Sequence, residues 1–453
     1  MKARFYLAQA LLKLKLHQTA AFPFIMITQN APPKPSQIAF ESLVEISEQL
    51  NDTDLLDYAL RKLDAGNLND LARDLYLLRM SQTLMRQENY LEAEKYIQQT
   101  LEVTPNGDEA LYTSALIYLK QNKPNEALPA LEKINNKYFE RPITDLKRGQ
   151  AAVALARAYY QAKRWQDAIT LYREIPKDHP LYHESQIELT WSLFRAGKFR
   201  SAMSCVQTLH TPFYENFYDP ESLILRTIIL IFVCQNDEAE KALETFQKIY
   251  PSAYKALSEI NKSNESLEFY YEQIEETQQY LKDLKNDKKP AYKGRVPFFM
   301  VRALIKTPPL KNRLSYIDKL LQEKSRITKI LNRVEDEPLR KYAVKILETR
   351  LKNAKKNAGK ILRESLAMKE QELALFMGDI SLLRYEVLNG KKRAARTQYI
   401  RQINNSSQDQ INVQENRNFY IENGYRYWPF EGEHWRDEIG NYQYLGVNRC
   451  EKE

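Results

Sequence analysis

The side chains best suited to chemistry cluster near the C-terminal end of the 453-residue chain. Glu431, Glu433, His434, Asp437 and Glu438 gather carboxylates and an imidazole within a few residues. If Glu433–Glu438 is helical, His434 and Glu438 share a face, as do Glu433 and Asp437. Such a set could hold a divalent cation or act as acid and base. The same stretch carries Trp428, Phe430 and Trp435, and this density of rings points instead to a hook that buries in a helical groove while the charges face water. The hook is the reading adopted, with Trp428, Phe430 and Trp435 as partner-binding candidates and no metal or catalytic group assigned.

Two other constellations also favour a structural role over a chemical one. His179 and His183 have the i,i+4 spacing of a metal-binding pair, but Pro180 lies between them and they fall where one structural repeat passes to the next. Cys205, Cys234 and Cys450 are too widely spaced for a zinc finger, and an odd count argues against a disulfide framework. Cys205 and Cys234 read as small buried apolar residues, with a bridge between them as the alternative. No G-x-S-x-G, Walker loop, dinucleotide fingerprint, H-E-x-x-H or paired C-x-x-C occurs. The expectation is a protein without catalytic activity and without a cofactor.

Charge is unevenly spread. Leu281–Lys360 holds 23 Lys and Arg against 8 Asp and Glu, in a chain of net charge +8, so the remainder is acidic. That segment could be an electrostatic footprint for nucleic acid, anionic lipid or an acidic protein. It could equally be the solvated face of long helices. Lys352, Lys355, Lys356 and Lys360 interleave with an apolar seam, and no stacking aromatics alternate with them, which disfavours nucleic acid. No run of 18 apolar residues occurs, so no transmembrane helix is expected.

The elements that must position these groups are helical. An apolar share of 43% with only 12 glycines favours helix over sheet. Ala93, Ala127, Ala168, Ala202 and Ala242 recur at intervals of 34, 41, 34 and 40. Each is followed four residues later by a bulky residue: Ile97, Leu131, Tyr172, Val206 and Phe246. A small residue lets paired helices approach, and the bulky one fills the next groove. Pro105 and Pro180, twelve residues past their anchors, should end second helices. Ala20, Phe24 and Pro32 repeat the pattern near the start, and a degenerate copy covers Ser36–Leu63.

This pattern resembles the tetratricopeptide-repeat (TPR) family. The resemblance implies an all-α, TPR-type helical-hairpin solenoid coiled as a right-handed superhelix, followed by long coiled-coil-like helices and a short aromatic C-terminal segment. The expected organisation is about seven repeats over 1–251, a capping helix and basic linker over 252–310, long helices over 311–390, a polar flexible segment over 391–422 and the hook over 423–453. The capping helix is placed at Ala253–Asn286. The seam of the long helices is read at Leu347, Leu351, Ala354, Ala358 and Ile361, and again at Leu373, Phe376, Ile380, Leu383 and Val387. It could join two chains or fold back on its own.

A TPR groove, lined by the first helices, accepts an extended peptide or a helix. The residues assigned to it are Tyr112, Arg157, Tyr160, Glu188 and Trp191. The block Trp428–Glu438 further resembles a C-terminal signature of envelope TPR proteins in predatory and gliding deltaproteobacteria. That resemblance implies a periplasmic or envelope scaffold in a motility complex. Such proteins are exported, and a repeat already under way by Tyr6 leaves room for a leader upstream of Met1. A cytoplasmic adaptor using the basic helices, and a metal-binding or hydrolytic C-terminal site, are the alternatives.

Overall fold

The computed structural model describes residues 2–100, 106–142, 145–214, 217, 219–286, 291–334, 337–403, 439–444 and 450. Among the described residues all regular structure is helical. The first fourteen α-helices pair as seven hairpins. They are α1 (Lys2–Lys13) with α2 (His17–Asn30), α3 (Pro33–Leu50) with α4 (Asp54–Leu60), α5 (Asp70–Arg86) with α6 (Tyr90–Ile97), and α7 (Gly107–Lys120) with α8 (Pro124–Phe139). Then come α9 (Leu146–Gln161) with α10 (Trp165–Arg173), α11 (Tyr182–Arg195) with α12 (Phe199–Leu209), and α13 (Pro220–Phe232) with α14 (Asn236–Lys262). Four further helices follow: α15 (Leu267–Lys285), α16 (Phe298–Leu304), α17 (Pro308–Val334) and α18 (Glu337–Ile403).

One backbone device makes every hairpin. Lys15, Asn51, Glu88, Asn122, Lys163, Gly197 and Cys234 each stand between paired helices with φ between 53° and 71°. The amides at and after such a residue return to carbonyls of the preceding turn. Glu88 N reaches Met85 O and Asn89 N reaches Leu84 O, both at 3.0 Å; Lys163 N reaches Tyr160 O at 3.0 Å and Arg164 N reaches Tyr159 O at 2.8 Å. These bonds satisfy helix-end carbonyls that would otherwise lack donors. Only Gly197 enters this region without a steric cost.

The alanine anchors sit where the repeat spacing puts them. Ala93, Ala127, Ala168, Ala202 and Ala242 are all buried, and so are Ile97, Leu131, Tyr172, Val206 and Phe246. Second helices lie on the first helices of the next hairpin, as α2 on α3, α10 on α11 and α12 on α13. The small-then-large spacing is thus the packing rule of the fold.

The chain forms two compact units, Met1–Ala130 with Glu259–Ala367, and Leu131–Ser258 with Met368–Glu453. In the first, α17 docks on the opening hairpin. α2 has no side-chain cap of its own; instead Glu323 accepts from Gln18 N at 2.9 Å and from Thr19 N and Oγ1 at 3.0 and 2.8 Å. Tyr316 donates to Gln18 Oε1 at 2.6 Å. α18 crosses α15 at Gly359, where a Cβ would stand 2.0 Å from the Leu267 carbonyl oxygen. In the second unit, α18 lies along α14. Lys391 pairs with Asp237 at 2.8 Å and Glu240 at 2.6 Å, and Arg384 donates to Gln247 at 2.7 Å.

Several expectations need correction. The capping helix at Ala253–Asn286 is broken: α14 runs through Pro251 to Lys262, Asn264 takes φ of 48°, and Ser266 caps α15 by accepting from Phe269 N at 3.1 Å. Pro180 does not end a helix, because α10 closes at Arg173. Part of the segment read as polar and flexible continues α18 to Ile403. Cys234 is not a buried apolar thiol: it is bonded to Cys450, 216 residues away, while Cys205 is free. The seam at Leu347, Ala354 and Ala358, and at Leu373, Ile380 and Val387, is buried. Trp428, Phe430, Trp435 and the acidic residues around His434 lie outside the described residues.

Candidate functional site

In the second unit, first helices α9, α11 and α13 contribute to a cavity of about 440 Å³ lined by Arg157, Tyr160, Gln161, Tyr172, Glu188, Trp191, Arg195 and Glu221. Alanines make this approach possible: Ala151, Ala152, Ala154, Ala156 and Ala158 bury most of the remainder of α9. Asp145 starts that helix by accepting from Lys147 N at 2.8 Å and Arg148 N at 3.1 Å.

Arg157 is the tie between adjacent repeats. Its Nε donates to both Glu188 carboxylate oxygens at 3.0 Å, and its Nη2 reaches Glu188 at 2.6 Å and Glu184 at 2.7 Å. Burial works against the guanidinium charge, but the Glu188 hydrogen bond and the neighbouring carboxylates outweigh it and raise its pKa. Trp191 Nε1 donates to Glu221 Oε1 at 2.7 Å, carrying the tie to the next first helix. Tyr160 packs edge-on against Trp165 with ring centroids 5.0 Å apart. Tyr172 is buried, and burial followed by Glu188 raises its hydroxyl pKa, so it stays protonated. The result is an aromatic slot with fixed charges at its edges, suited to an apolar side chain and the polar backbone of a polypeptide.

Four of the residues assigned from sequence, Arg157, Tyr160, Glu188 and Trp191, therefore line one cavity. Tyr112 lies on α7 in the other unit and lines neither this cavity nor the one in its own unit. Gln161, Tyr172, Arg195 and Glu221 were missed. The repeat spacing marks Tyr172 only as the bulky partner of Ala168. Glu221 had a usable signal, since it follows Trp191 by nearly one repeat, as Glu188 follows Arg157.

The first unit has a cavity of about 460 Å³ lined from α3, α4, α5 and α7, with Asn312 of α17 also in its lining. Arg79 joins Glu48 and Glu109 across three first helices, and Gln82 donates to Glu109 at 2.9 Å. Arg313 pairs with Asp52 at 2.9 Å. Burial and Asp54 push the Asp52 carboxyl up to about 6 against that pairing.

The other sequence candidates are dispersed. His179 Nδ1 accepts from Leu181 N at 3.1 Å, whereas His183 Nε2 faces Asp219 Oδ2 at 3.5 Å. Among the described residues no group of three His, Cys, Asp or Glu could hold a metal ion. Part of the basic segment is answered internally: Lys355 pairs with Glu275, Lys356 with Glu268 and Lys324 with Glu348. Among the described residues no helix is long and apolar enough to cross a membrane.

Residues 86–175 match the family described as anaphase-promoting complex, cyclosome, subunit 3, which covers about a fifth of the chain. No curated protein matches. Among solved structures, the TPR domain of P58(IPK) is 14% identical, with 87% of this chain and 98% of that chain covered and a TM-score of 0.20. A score that low adds nothing to the hairpin geometry. The matched segment and the recurring hairpins together show TPR-type helical repeats.

Proposed function

We propose that the chain is a non-catalytic scaffold that holds an extended segment or helix of another protein in the groove around Arg157, Tyr160, Glu188 and Trp191. The observation that carries this reading is the cavity itself, where aromatic rings converge and two inter-repeat ties hold them in place. A preorganised site of this kind loses little side-chain entropy on binding. Capture from native cells with full-length protein and with Trp191→Ala tests it. Loss of co-purifying proteins from a folded variant supports the groove; identical recovery removes it as the site.

The envelope reading is the proposed setting. It is supported by the Cys234–Cys450 pair, since disulfides persist in oxidising compartments, and by the resemblance of Trp428–Glu438 to envelope TPR proteins. Thiol labelling of native protein under denaturing conditions checks it. Modification of Cys205 alone fits an oxidising compartment; modification of all three cysteines argues for the cytoplasmic adaptor.

A further inference from the structure

From Met368 onward α18 carries two apolar stripes on opposite sides. Leu373, Ile380 and Val387 are buried. Two residues past buried Leu366, Leu373 and Ile380 stand Met368, Leu375 and Leu382, which remain 69%, 72% and 68% exposed, and Tyr385 extends that face at 63%. Positions two apart on a helix stand about 200° from each other, so the outer stripe faces away from the inner one. Large contiguous apolar patches on a protein surface mark interaction sites.

The spacing and charges specify the occupant. Met368, Leu375 and Leu382 repeat every seventh residue, the seam of a two-stranded coiled coil, and Asn389 is the next seam position. The companion seam positions are Gln371, Gly378 and Tyr385. A Cβ at Gly378 would meet nothing within 4 Å, so a second helix can approach closely there. One flank of the seam holds Glu372, Asp379 and Glu386; the other holds Ala367, Ala374, Ser381 and Leu388. Two copies laid antiparallel would set acidic flank against acidic flank. Laid parallel, each acidic flank meets the uncharged flank of its mate, and Asn389 meets Asn389. A buried Asn pair at one seam position fixes register and two-strandedness.

We propose that the outer face of α18 from Met368 to Asn389 pairs in parallel with the same face of a second copy of this chain. The interface is isologous and closes as a two-fold dimer. It uses no groove residue: a dimer that binds no partner, or a monomer that binds one, tells the two proposals apart.

The test is light scattering on the full chain at tens of micromolar, beside Leu375→Asp/Leu382→Asp. The expected result is twice the chain mass for the parent and the chain mass for the variant, with the helical circular dichroism retained because both positions are exposed in the single chain and with a lower unfolding midpoint because the stabilisation from pairing is lost. Should that variant lose its helical signal, Leu375→Gln/Leu382→Gln serves in its place. A monomeric parent overturns the proposal, and so does a folded variant that stays dimeric. Orientation is read in a Cys205→Ser background by mild oxidation of Met368→Cys and Asn389→Cys. Each forms a disulfide-linked dimer in a parallel pair; a dimer in which neither links overturns the parallel arrangement.

Discussion

Both units place an arginine on a first helix where it pairs with glutamates of adjacent first helices, two helices for Arg79 and one for Arg157, yet they build different surfaces around it. Arg79 ties Glu48 and Glu109, and Arg157 ties Glu188 and Glu184. The cavities are nearly equal, about 460 and 440 Å³. Around Arg79 the lining is polar or charged apart from Leu56, with Asn312 of the chain's own α17 among it. Around Arg157 three rings, Tyr160, Tyr172 and Trp191, stand beside Gln161, Glu188, Arg195 and Glu221. The inter-repeat arginine is therefore a structural tie in both. The rings decide which groove has apolar surface to offer, at roughly 25 cal/mol per Å² buried.

The largest expected effect separates the grooves directly. Trp191→Ala should weaken partner binding by about 2 kcal/mol or more, the cost of removing an aromatic hot spot, whereas Gln82→Ala should leave it within a few-fold; binding titrations read both. Next is packing. Gly359→Ala forces a methyl group onto the Leu267 carbonyl and should cost about 1–3 kcal/mol in denaturant unfolding, although alanine is the better helix former. On the same helix Gly378→Ala meets no atom of its own chain and should cost nothing in unfolding measured at concentrations low enough to keep the chain monomeric. Destabilisation at both positions would remove the close crossing as the explanation.

Glu323→Ala leaves two α2 amides uncapped and should cost roughly 1–3 kcal/mol. Hydrogen exchange at Gln18 and Thr19 should speed up, with no change in the second unit. A smaller effect is pH-dependent. Burial raises Asp219 from 3.8 to about 7, and Asp52 reaches about 6. The folded state then binds protons more tightly than the unfolded one, so stability is highest below the ordinary pKa and falls as pH rises towards these values. Asp219→Asn should flatten that slope in the second unit and Asp52→Asn in the first, as seen in unfolding midpoints against pH. The smallest effect is at a turn. Lys163→Gly should stabilise by about 1 kcal/mol, because the φ of 60° strains a residue with a Cβ.

How much was legible depends on the range of the interaction. The alanine anchors follow local spacing, and the structure buries all five. Arg157, Tyr160, Glu188 and Trp191 converge because each lies on a first helix at a related position in adjacent repeats. The turns hid themselves: left-handed backbone is expected at glycine, and six of the seven hairpin turns use another residue. Glu323 on Gln18, and Cys450 on Cys234, join residues more than 200 positions apart, and no periodicity announces them. The outer stripe of α18 is hidden in the sequence because Leu373 and Leu375 lie in the same apolar run. Only burial shows that they face opposite ways.

A photo-crosslinking residue placed at Gln161, and in a separate protein at Gln82, tests in native cells whether partners are recognised at the aromatic groove of the second unit. Both positions line cavities of similar size, and Gln82 also accepts from Arg79 Nη1 at 2.9 Å. Adducts with another protein are expected from position 161 and none from position 82. Adducts from position 82 alone would contradict this and move recognition to the first unit.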